Sequence, residues 1–203
     1  NLTLHSGTVL GNVALTVAKD ATLTLSASQA SGKAITGSDS TSGGEVGGSV
    51  IVTSLDGSAA YSLNTLTAGG SSGGGSAGSI TAAVAVDTTL DSGTNLGTTV
   101  VTVASNAELT LSVSQANGKT ITGATATSGG SHHGGSVVVT GLDTSAFNLG
   151  GLTAGAASSP AGSTTVGTLK AAVGTNLELH GSTDLGSVVV TVASNAALTL
   201  SAC

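Results

Sequence analysis

The sequence predicts an all-β protein, and three observations support that prediction. Apolar and hydroxyl residues alternate in short segments such as Val101-Thr102-Val103 and Leu109-Thr110-Leu111, and a period of two is typical of a strand with one buried face. Gly, Ser, Asn and Asp residues separate these segments at short intervals, as turn residues do. No segment repeats its apolar residues with the 3.6-residue period of a helix, so we expect negligible helix.

One segment occurs three times, at residues 16–26, 102–112 and 191–201. Each copy has two strand-like stretches, in which Leu and Val are expected to face inward and Thr outward. An Asx residue holds the same place between the stretches of every copy: Asp20, Asn106 and Asn195. Asx side chains favour turns because they bond their own backbone and tolerate left-handed geometry. The segment is therefore predicted to be strand, turn, strand.

The segment belongs to a longer repeat. The phrase Thr-x-Leu-Gly ends at Gly11, recurs 86 residues later at Gly97 and recurs 89 residues after that at Gly186. This spacing predicts the following organisation: repeat 1 at residues 1–88, repeat 2 at 89–176 and a partial repeat 3 at 177–203.

Two architectures fit these repeats. The first is a continuous parallel β-solenoid with a thin core of stacked Val, Leu, Ile and Ala. The second is a pair of tandem immunoglobulin-like β-sandwiches, with the partial repeat either left over or donated as a strand to a neighbouring subunit. The chain has one Tyr and one Phe, Tyr61 and Phe147, and no Trp, whereas compact sandwich cores use aromatic residues. A closed domain also cannot form from the partial repeat at 177–203, so the solenoid is favoured.

Composition excludes several functional classes. The chain has four Lys, no Arg and a formal net charge of −6, so it lacks the basic surface that binds phosphate backbones. No apolar run approaches the roughly 20 residues of a membrane span. The chain opens at Asn1 without a signal sequence, so we expect it to be processed or part of something longer. Its single cysteine, Cys203, is expected to be an incidental thiol or an intermolecular attachment point.

Two residue pairs invite a metal hypothesis. His132 and His133 are adjacent in a Gly/Ser-rich loop, but neighbouring residues of a strand point in opposite directions and no further ligand completes a set. Asp87 and Asp91 flank a repeat junction and suggest calcium, yet no Asp-x-Asp-x-Asp-Gly loop is present. We therefore predict no metal site and no cofactor, and keep calcium as a minor alternative.

The sequence also predicts no enzyme. No Gly-x-Ser-x-Gly elbow stands between a strand and a helix. The Gly/Ser-rich loops, such as residues 42–48 and 69–78, lack the Lys and the following helix of a phosphate-binding loop, so they are expected to be exposed linkers.

Threonine is the residue type with the most suggestive placement. The outward face is predicted to carry several threonines: Thr16, Thr22, Thr24, Thr36 and Thr53. Ice-binding solenoids use flat arrays of Thr-x-Thr, but threonine is also a good strand former. The uneven sequence separation of these strands argues against an evenly spaced lattice.

A resemblance follows from two phrases of the repeat. Residues 21–37 and 107–123 share Ala-x-Leu-Thr-Leu-Ser-x-Ser-Gln-Ala-x-Gly-Lys-x-Ile-Thr-Gly, and residues 134–143 read Gly-Gly-Ser-Val-Val-Val-Thr-Gly-Leu-Asp. They resemble the Thr/Gly-rich strand repeats of large bacterial extracellular proteins: filamentous-haemagglutinin-like adhesins and surface-layer, sheath or matrix-filament proteins. The calcium-binding nonapeptides of other such repeats are absent. The resemblance implies a secreted or cell-surface location and no catalytic residues.

The predicted function is therefore a non-enzymatic extracellular structural protein. We expect it to form a filament, sheath or surface assembly by self-association through chain ends or strand edges, without nucleic acid. The alternative is an adhesive or binding module, either a glycan-binding or an ice-binding solenoid.

Overall fold

A computed structural model describes residues 1–126, 133–157 and 165–200. These residues form short β-strands and two single-turn helices, which confirms the predicted all-β class. The chain divides into two compact units. Unit 1 comprises Asn1–Ala83 and Gly93–Val101, and unit 2 comprises Val84–Ser92 and Thr102–Cys203.

The strands of unit 1 form parallel sheets from alternate strands of the chain. The strands are β1 (Leu2–Thr3), β2 (Leu15–Val17), β3 (Thr22–Ser26), β4 (Ile35–Gly37), β5 (Ser49–Thr53), β6 (Leu66–Thr67) and β7 (Ile80–Val84). One sheet runs in the order β1-β3-β5-β7 and the other in the order β2-β4-β6. Each strand thus pairs with the second strand after it, so the chain passes back and forth between two sheets.

Unit 2 follows the same rule. It includes β8 (Thr88–Thr89), whereas the residues of β9 (Val100–Val103) are divided between the two units. The later strands of unit 2 are β10 (Glu108–Ser112), β11 (Ile121–Gly123), β12 (Ser136–Thr140), β13 (Leu152–Thr153), β14 (Leu169–Val173), β15 (Leu177–Leu179), β16 (Val189–Val192) and β17 (Leu198–Leu200). The sheets of unit 2 have the orders β8-β10-β12-β14-β16, β11-β13 and β15-β17. The pairs in both units are parallel, whereas immunoglobulin-like sandwiches need antiparallel sheets.

The register of the pairs places aliphatic residues directly above one another. In unit 1, Leu23 pairs with Val50 and Val50 with Ile80, and all three are buried. In unit 2, Leu111 is 1% exposed, while the preceding Thr110 is partly exposed. The inward and outward faces are therefore those that the alternation predicted, and the core is a stack of aliphatic rows between sheets.

Two helical turns were not predicted. They are α1 (Ala27–Ala30) and α2 (Val113–Ala116). In α1, Gln29 N donates to Ser26 Oγ at 3.2 Å and Ser26 N donates to Gln29 Oε1 at 2.9 Å, which is a capping box. Ser112 and Gln115 repeat this arrangement in α2. The Ser-x-x-Gln signature was present in the sequence, but one turn is too short to produce a helical period.

Of the three predicted Asx turns, those at Asp20 and Asn106 have the left-handed backbone, whereas Asn195 is not among the residues with a positive φ. The φ angles of Asp20 and Asn106 are 58° and 63°, in the left-handed region that Asx residues tolerate. Their side chains bond a distant segment. Asp20 Oδ1 accepts from Val46 N at 2.8 Å, and Asn106 Oδ1 accepts from His133 N at 2.8 Å. Each Asx residue therefore fastens its turn to the loop stacked beside it.

Candidate functional site

The aspartates of the calcium hypothesis lie in contacts that connect neighbouring segments of unit 2. Asp87 Oδ1 accepts from Glu108 N at 2.8 Å, and the backbone oxygen of Asp91 accepts from Gln115 Nε2 at 2.7 Å. Across residues 1–126, 133–157 and 165–200, no three His, Cys, Asp or Glu side chains come together as a metal site would require. The Asp87 carboxylate and the Asp91 backbone thus each bind a neighbouring segment of the unit.

Of the predicted histidine pair, only His133 can be placed, since His132 and also Cys203 lie outside the described residues. His133 is exposed, and its ring Nδ1 contacts Thr165 Oγ1. Its backbone N and O bind Asn106, as those of Val46 bind Asp20. His133 therefore occupies a structural position that valine fills in unit 1.

Glycines form a close backbone seam at one side of each unit. In unit 1 this glycine seam consists of Gly37, Gly48, Gly69 and Gly78, and in unit 2 of Gly123, Gly135, Gly155 and Gly167. Gly48 N donates to Ser38 O at 2.8 Å, Gly69 N to Gly48 O at 3.0 Å and Gly78 N to Gly69 O at 2.8 Å. A Cβ on Gly48 would lie 2.1 Å from Val17 O, and one on Gly135 would lie 2.2 Å from Val103 O. The seam thus excludes side chains.

This seam corrects the interpretation of the Gly/Ser-rich loops as linkers. In unit 1, Ser40 is fully buried, and its Oγ donates to Ser76 O at 3.0 Å. Ser72 Oγ donates to Ser40 O at 2.8 Å, so the loops at 39–46 and 70–77 stack on each other. Glycine is required at these positions because two backbones approach closely. This requirement could not be predicted locally, because the partner segments are distant along the chain.

The half-buried carboxylate of Glu45 holds the first of these loops, residues 39–46. Glu45 Oε1 is 2.5 Å from Lys19 Nζ, and Glu45 Oε2 accepts from Thr41 N at 2.8 Å and Ser42 N at 3.0 Å. The Lys19 hydrogen bond, followed by the backbone bond from Thr41, lowers the pKa of Glu45 to about 2. The carboxylate is therefore engaged by this chain's own donors.

Tyr61 marks a second polar cluster in unit 1. Its hydroxyl donates to Asp56 Oδ1 at 2.6 Å, and Ser58 Oγ donates to the same oxygen at 2.6 Å. The Ser58 and Tyr61 hydrogen bonds lower the pKa of Asp56, and the bond to Asp56 raises the pKa of Tyr61. Phe147 holds the equivalent place in unit 2 and is equally buried, so the ring fills a core position while the hydroxyl is an addition of unit 1.

Three threonines form a row on the outward face of the sheet β2-β4-β6. Thr16 pairs with Thr36 and Thr36 with Thr67, and all three are exposed. Adjacent strands lie about 4.8 Å apart, so this threonine row is evenly spaced. The expectation that uneven sequence separation prevents an even row was wrong, because the loops absorb the differences in length.

Aliphatic residues that are buried in the second copy of the repeated segment are exposed in the third. Leu111 is 1% exposed and its copy Leu200 is 62% exposed, while Val103 is 0% exposed and its copy Val192 is 37% exposed. The difference follows from sheet position, since β10 lies between β8 and β12 whereas β16 and β17 are edge strands.

Unit 1 also has an apolar edge strand. Leu2 of the edge strand β1 is 58% exposed. A hollow of about 280 Å³ opens beside it, lined by Leu4, Leu10, Leu15 and Leu23 among others. These strands therefore offer apolar rows and unpaired strand edges, which are suited to adding a further strand.

The described residues contain no helix that is long and apolar enough to cross a membrane. Searches against protein-family models, curated proteins and solved structures found no match to the chain.

Proposed function

We propose that this protein is a non-enzymatic, extracellular structural repeat protein that self-associates into a filament, sheath or surface layer. The observation that carries the proposal is the exposure of aliphatic rows at the edge strands β1, β16 and β17, where the same rows are buried elsewhere in the chain. Exposed apolar surface beside an unpaired strand edge favours association with another strand. The secreted location rests on the resemblance to Thr/Gly-rich bacterial surface repeats.

The architecture that we propose for this function is a parallel β-solenoid continuing through repeats of 86–89 residues. The parallel pairing of alternate strands in each unit supports it, as do the buried aliphatic rows. Stiffness arises from the parallel backbone ladders, from the glycine seams and from the Asx side chains that bind neighbouring segments.

Light scattering coupled to size exclusion tests the self-association. We expect oligomers that grow with protein concentration at neutral pH, and filaments or sheets by negative-stain microscopy. Leu200→Asp, which places a charge in an exposed aliphatic row, should shift the population towards monomer, whereas the matched change Ala59→Asp at an exposed loop position should not. A wild-type chain that stays monomeric at high concentration would contradict the proposal.

The threonine row of Thr16, Thr36 and Thr67 favours a second candidate, binding to an ordered surface such as ice or a crystalline glycan. Exposed threonines at neighbouring positions of three successive strands support it. Inhibition of ice recrystallisation and binding to insoluble polysaccharides are the measurements. Thr36→Lys should abolish either activity and Ala59→Lys should preserve it; the absence of both activities in the wild-type chain would remove this candidate.

A further inference from the structure

Two opposite charges stand on the outward face of the sheet β8-β10-β12-β14-β16 in unit 2. Lys170 Nζ of β14 lies 3.2 Å from Glu108 Oε2 of β10, and the two side chains are 49% and 40% exposed. Strand β12 lies between β10 and β14, so the ion pair spans it. Val138 of β12, which is partly exposed, pairs with Thr110 on one side and with Lys170 on the other. We call Glu108, Val138 and Lys170 the charged face.

The fold does not require this ion pair. The corresponding positions of unit 1 are Thr22 in β3 and Thr81 in β7. Strands β3, β5 and β7 nevertheless form the same parallel sheet without a charged residue. Exposed ion pairs also add little to stability, because water and salt screen them. The two charges are therefore an addition of unit 2 that its folding does not explain.

Two other common uses of surface charge do not apply to this pair. Charged residues protect edge strands from pairing with another chain, but β10 lies between β8 and β12, and β14 lies between β12 and β16. Net charge keeps proteins soluble, but one Lys and one Glu cancel. Among the strands that the structure describes, the only other charged residue is Glu178 of β15. The pair is thus suited to recognition of another surface.

We propose that the charged face docks against the same face of a second copy of this chain, related to the first by a two-fold axis. This inference rests on the proposed self-association and adds to it a lateral contact, made by sheet faces and not by strand edges. A two-fold axis can set Lys170 of each copy opposite Glu108 of the other. A face with one charge of each sign is therefore complementary to itself, and Val138 supplies apolar surface to the same contact.

A single contact of this kind is weak. Three five-residue strands, β10, β12 and β14, present a face of about 14 by 17 Å. Two such faces bury well below the roughly 1,200–2,000 Å² of a stable interface. Repetition of the contact along an assembly strengthens it, because each further contact forms between copies that are already held together. We therefore expect association that grows with protein concentration and decreases with added salt, which screens exposed charges.

Charge reversal in separate chains tests the contact. Glu108→Lys makes the face basic and Lys170→Glu makes it acidic, so each variant alone should repel its own copies. By sedimentation velocity we expect association that is at least about fivefold weaker for either variant than for wild type. An equimolar mixture of the two variants should recover it. If the ion pair served only within one chain, it would be broken in both variants and mixing would restore nothing.

A matched control uses the same charges at another place. Ala59→Lys and Ala59→Glu lie at an exposed loop position of unit 1. Neither variant, nor a mixture of the two, should associate differently from wild type. A change as large as that of the charged-face variants would mean that net charge, and not the charged face, governs association.

A double substitution guards against loss of the fold. Glu108→Thr with Lys170→Thr removes both charges and copies the residues that unit 1 has in the same sheet, Thr22 and Thr81. Its association should be weaker than that of wild type and should decrease less with added sodium chloride. Far-UV circular dichroism and urea unfolding establish that every variant has kept the β fold.

The outcomes separate the contact from the function. If wild type associates but the mixture associates no better than either variant alone, the charged-face contact is wrong and self-association stands. The same conclusion follows if both variants associate as strongly as wild type. If wild type stays monomeric at high concentration, the proposed function fails together with this contact.

Discussion

Asp20 and Val46, 26 residues apart, are joined by two hydrogen bonds. Asp20 Oδ1 accepts from Val46 N at 2.8 Å, and Asp20 N donates to Val46 O at 2.7 Å. Asn106 and His133 make the same pair of bonds in unit 2. A single Asx residue thus satisfies both polar groups of a loop residue and holds the loop against the turn.

Replacement of Asp20 should show how much this contact stabilises the fold. Asp20→Ala removes the side-chain acceptor. It also replaces an Asx residue, which tolerates a φ of 58°, with alanine, which does not. Loss of a hydrogen bond costs about 0.5–1.5 kcal/mol and left-handed geometry about 1–2 kcal/mol, so we expect a decrease of roughly 1–3 kcal/mol in the free energy of unfolding. Urea denaturation is the measurement. Asp20→Asn is the matched control, because Asn serves at position 106, and a loss as large as that of Asp20→Ala would contradict the assignment.

A glycine-seam substitution should be far more damaging than a loop glycine substitution. A Cβ at Gly48 would collide with the backbone oxygen of Val17 at 2.1 Å, whereas one at Gly43 would meet nothing within 4 Å. Overpacking commonly lowers the free energy of unfolding by about 1–3 kcal/mol. Because the colliding atom belongs to the backbone and cannot easily move, we expect Gly48→Ala to lie at the upper end of that range or beyond it. Thermal or urea unfolding of Gly48→Ala and Gly43→Ala checks this, and equal stability of the two variants would show that the segments do not approach closely.

Asp20 and Gly48 also show which features of the fold could be predicted from the sequence. Alternation at Leu109, Thr110 and Leu111 is local, so inward and outward faces followed directly from it. The positive φ of Asp20 was equally accessible, because Asx residues adopt that geometry by their own chemistry. The role of Gly48 could not be predicted, because it depends on the distant Val17. Nothing in the local sequence distinguishes Gly48 from Gly43.

Strand pairing is a second feature of the fold that local sequence patterns could not predict. Alternating strands separated by turns are compatible with parallel and with antiparallel sheets, so both a solenoid and a sandwich had to be considered. The choice depends on contacts such as that of Leu23 with Val50, which are remote in sequence. The Glu45 ion pair was missed for the same reason, because Lys19 and Glu45 are 26 residues apart. The Tyr61 cluster was missed although it is local, since Asp56, Ser58 and Tyr61 lie close together in the sequence.

Core truncation should distinguish buried from exposed copies of the same residue. Leu111→Ala removes a side chain that is 1% exposed and should cost about 2–5 kcal/mol. Thr110→Ala, on the outward face, should cost less than about 1 kcal/mol. The third-copy equivalent Leu200→Ala should hardly change the unfolding of the monomer, because Leu200 is 62% exposed. Equal costs at Leu111 and Thr110, measured by urea unfolding, would mean that the faces are misassigned.

The Tyr61 hydroxyl should contribute stability that its phenylalanine counterpart lacks. Tyr61→Phe retains the ring and removes the 2.6 Å bond to Asp56, at a cost of about 1 kcal/mol. Because this bond raises the pKa of Tyr61, its contribution is complete below the ordinary pKa of the phenol and is lost as the pH rises through the folded pKa. Tyr61→Phe should therefore be less stable than wild type at pH 7 and should approach it at strongly alkaline pH. A difference that does not change with pH would indicate that the hydroxyl acts through packing.

The Glu45 carboxylate should titrate well below an ordinary glutamate, and Lys19 should be the main reason. The Lys19 hydrogen bond is the largest cause that lowers the pKa of Glu45 to about 2, against an ordinary value of about 4.3. Because the pKa of Glu45 is lowered in the folded state, the ionised carboxylate stabilises the fold at pH values above the ordinary pKa. This stabilisation is lost as the pH falls towards 2. Carbon-13 NMR of the side-chain carboxyl measures the midpoint directly.

In Lys19→Ala we expect the pKa of Glu45 to rise part of the way towards the ordinary value, since the backbone N–H groups of Thr41 and Ser42 still donate to the carboxylate. Lys33→Ala is the matched control, because Lys33 Nζ donates to Gly11 O at 2.6 Å and should leave that pKa unchanged. A Glu45 midpoint that is ordinary in the wild-type chain would mean that the loop at 39–46 is not held against the Asp20 turn in solution.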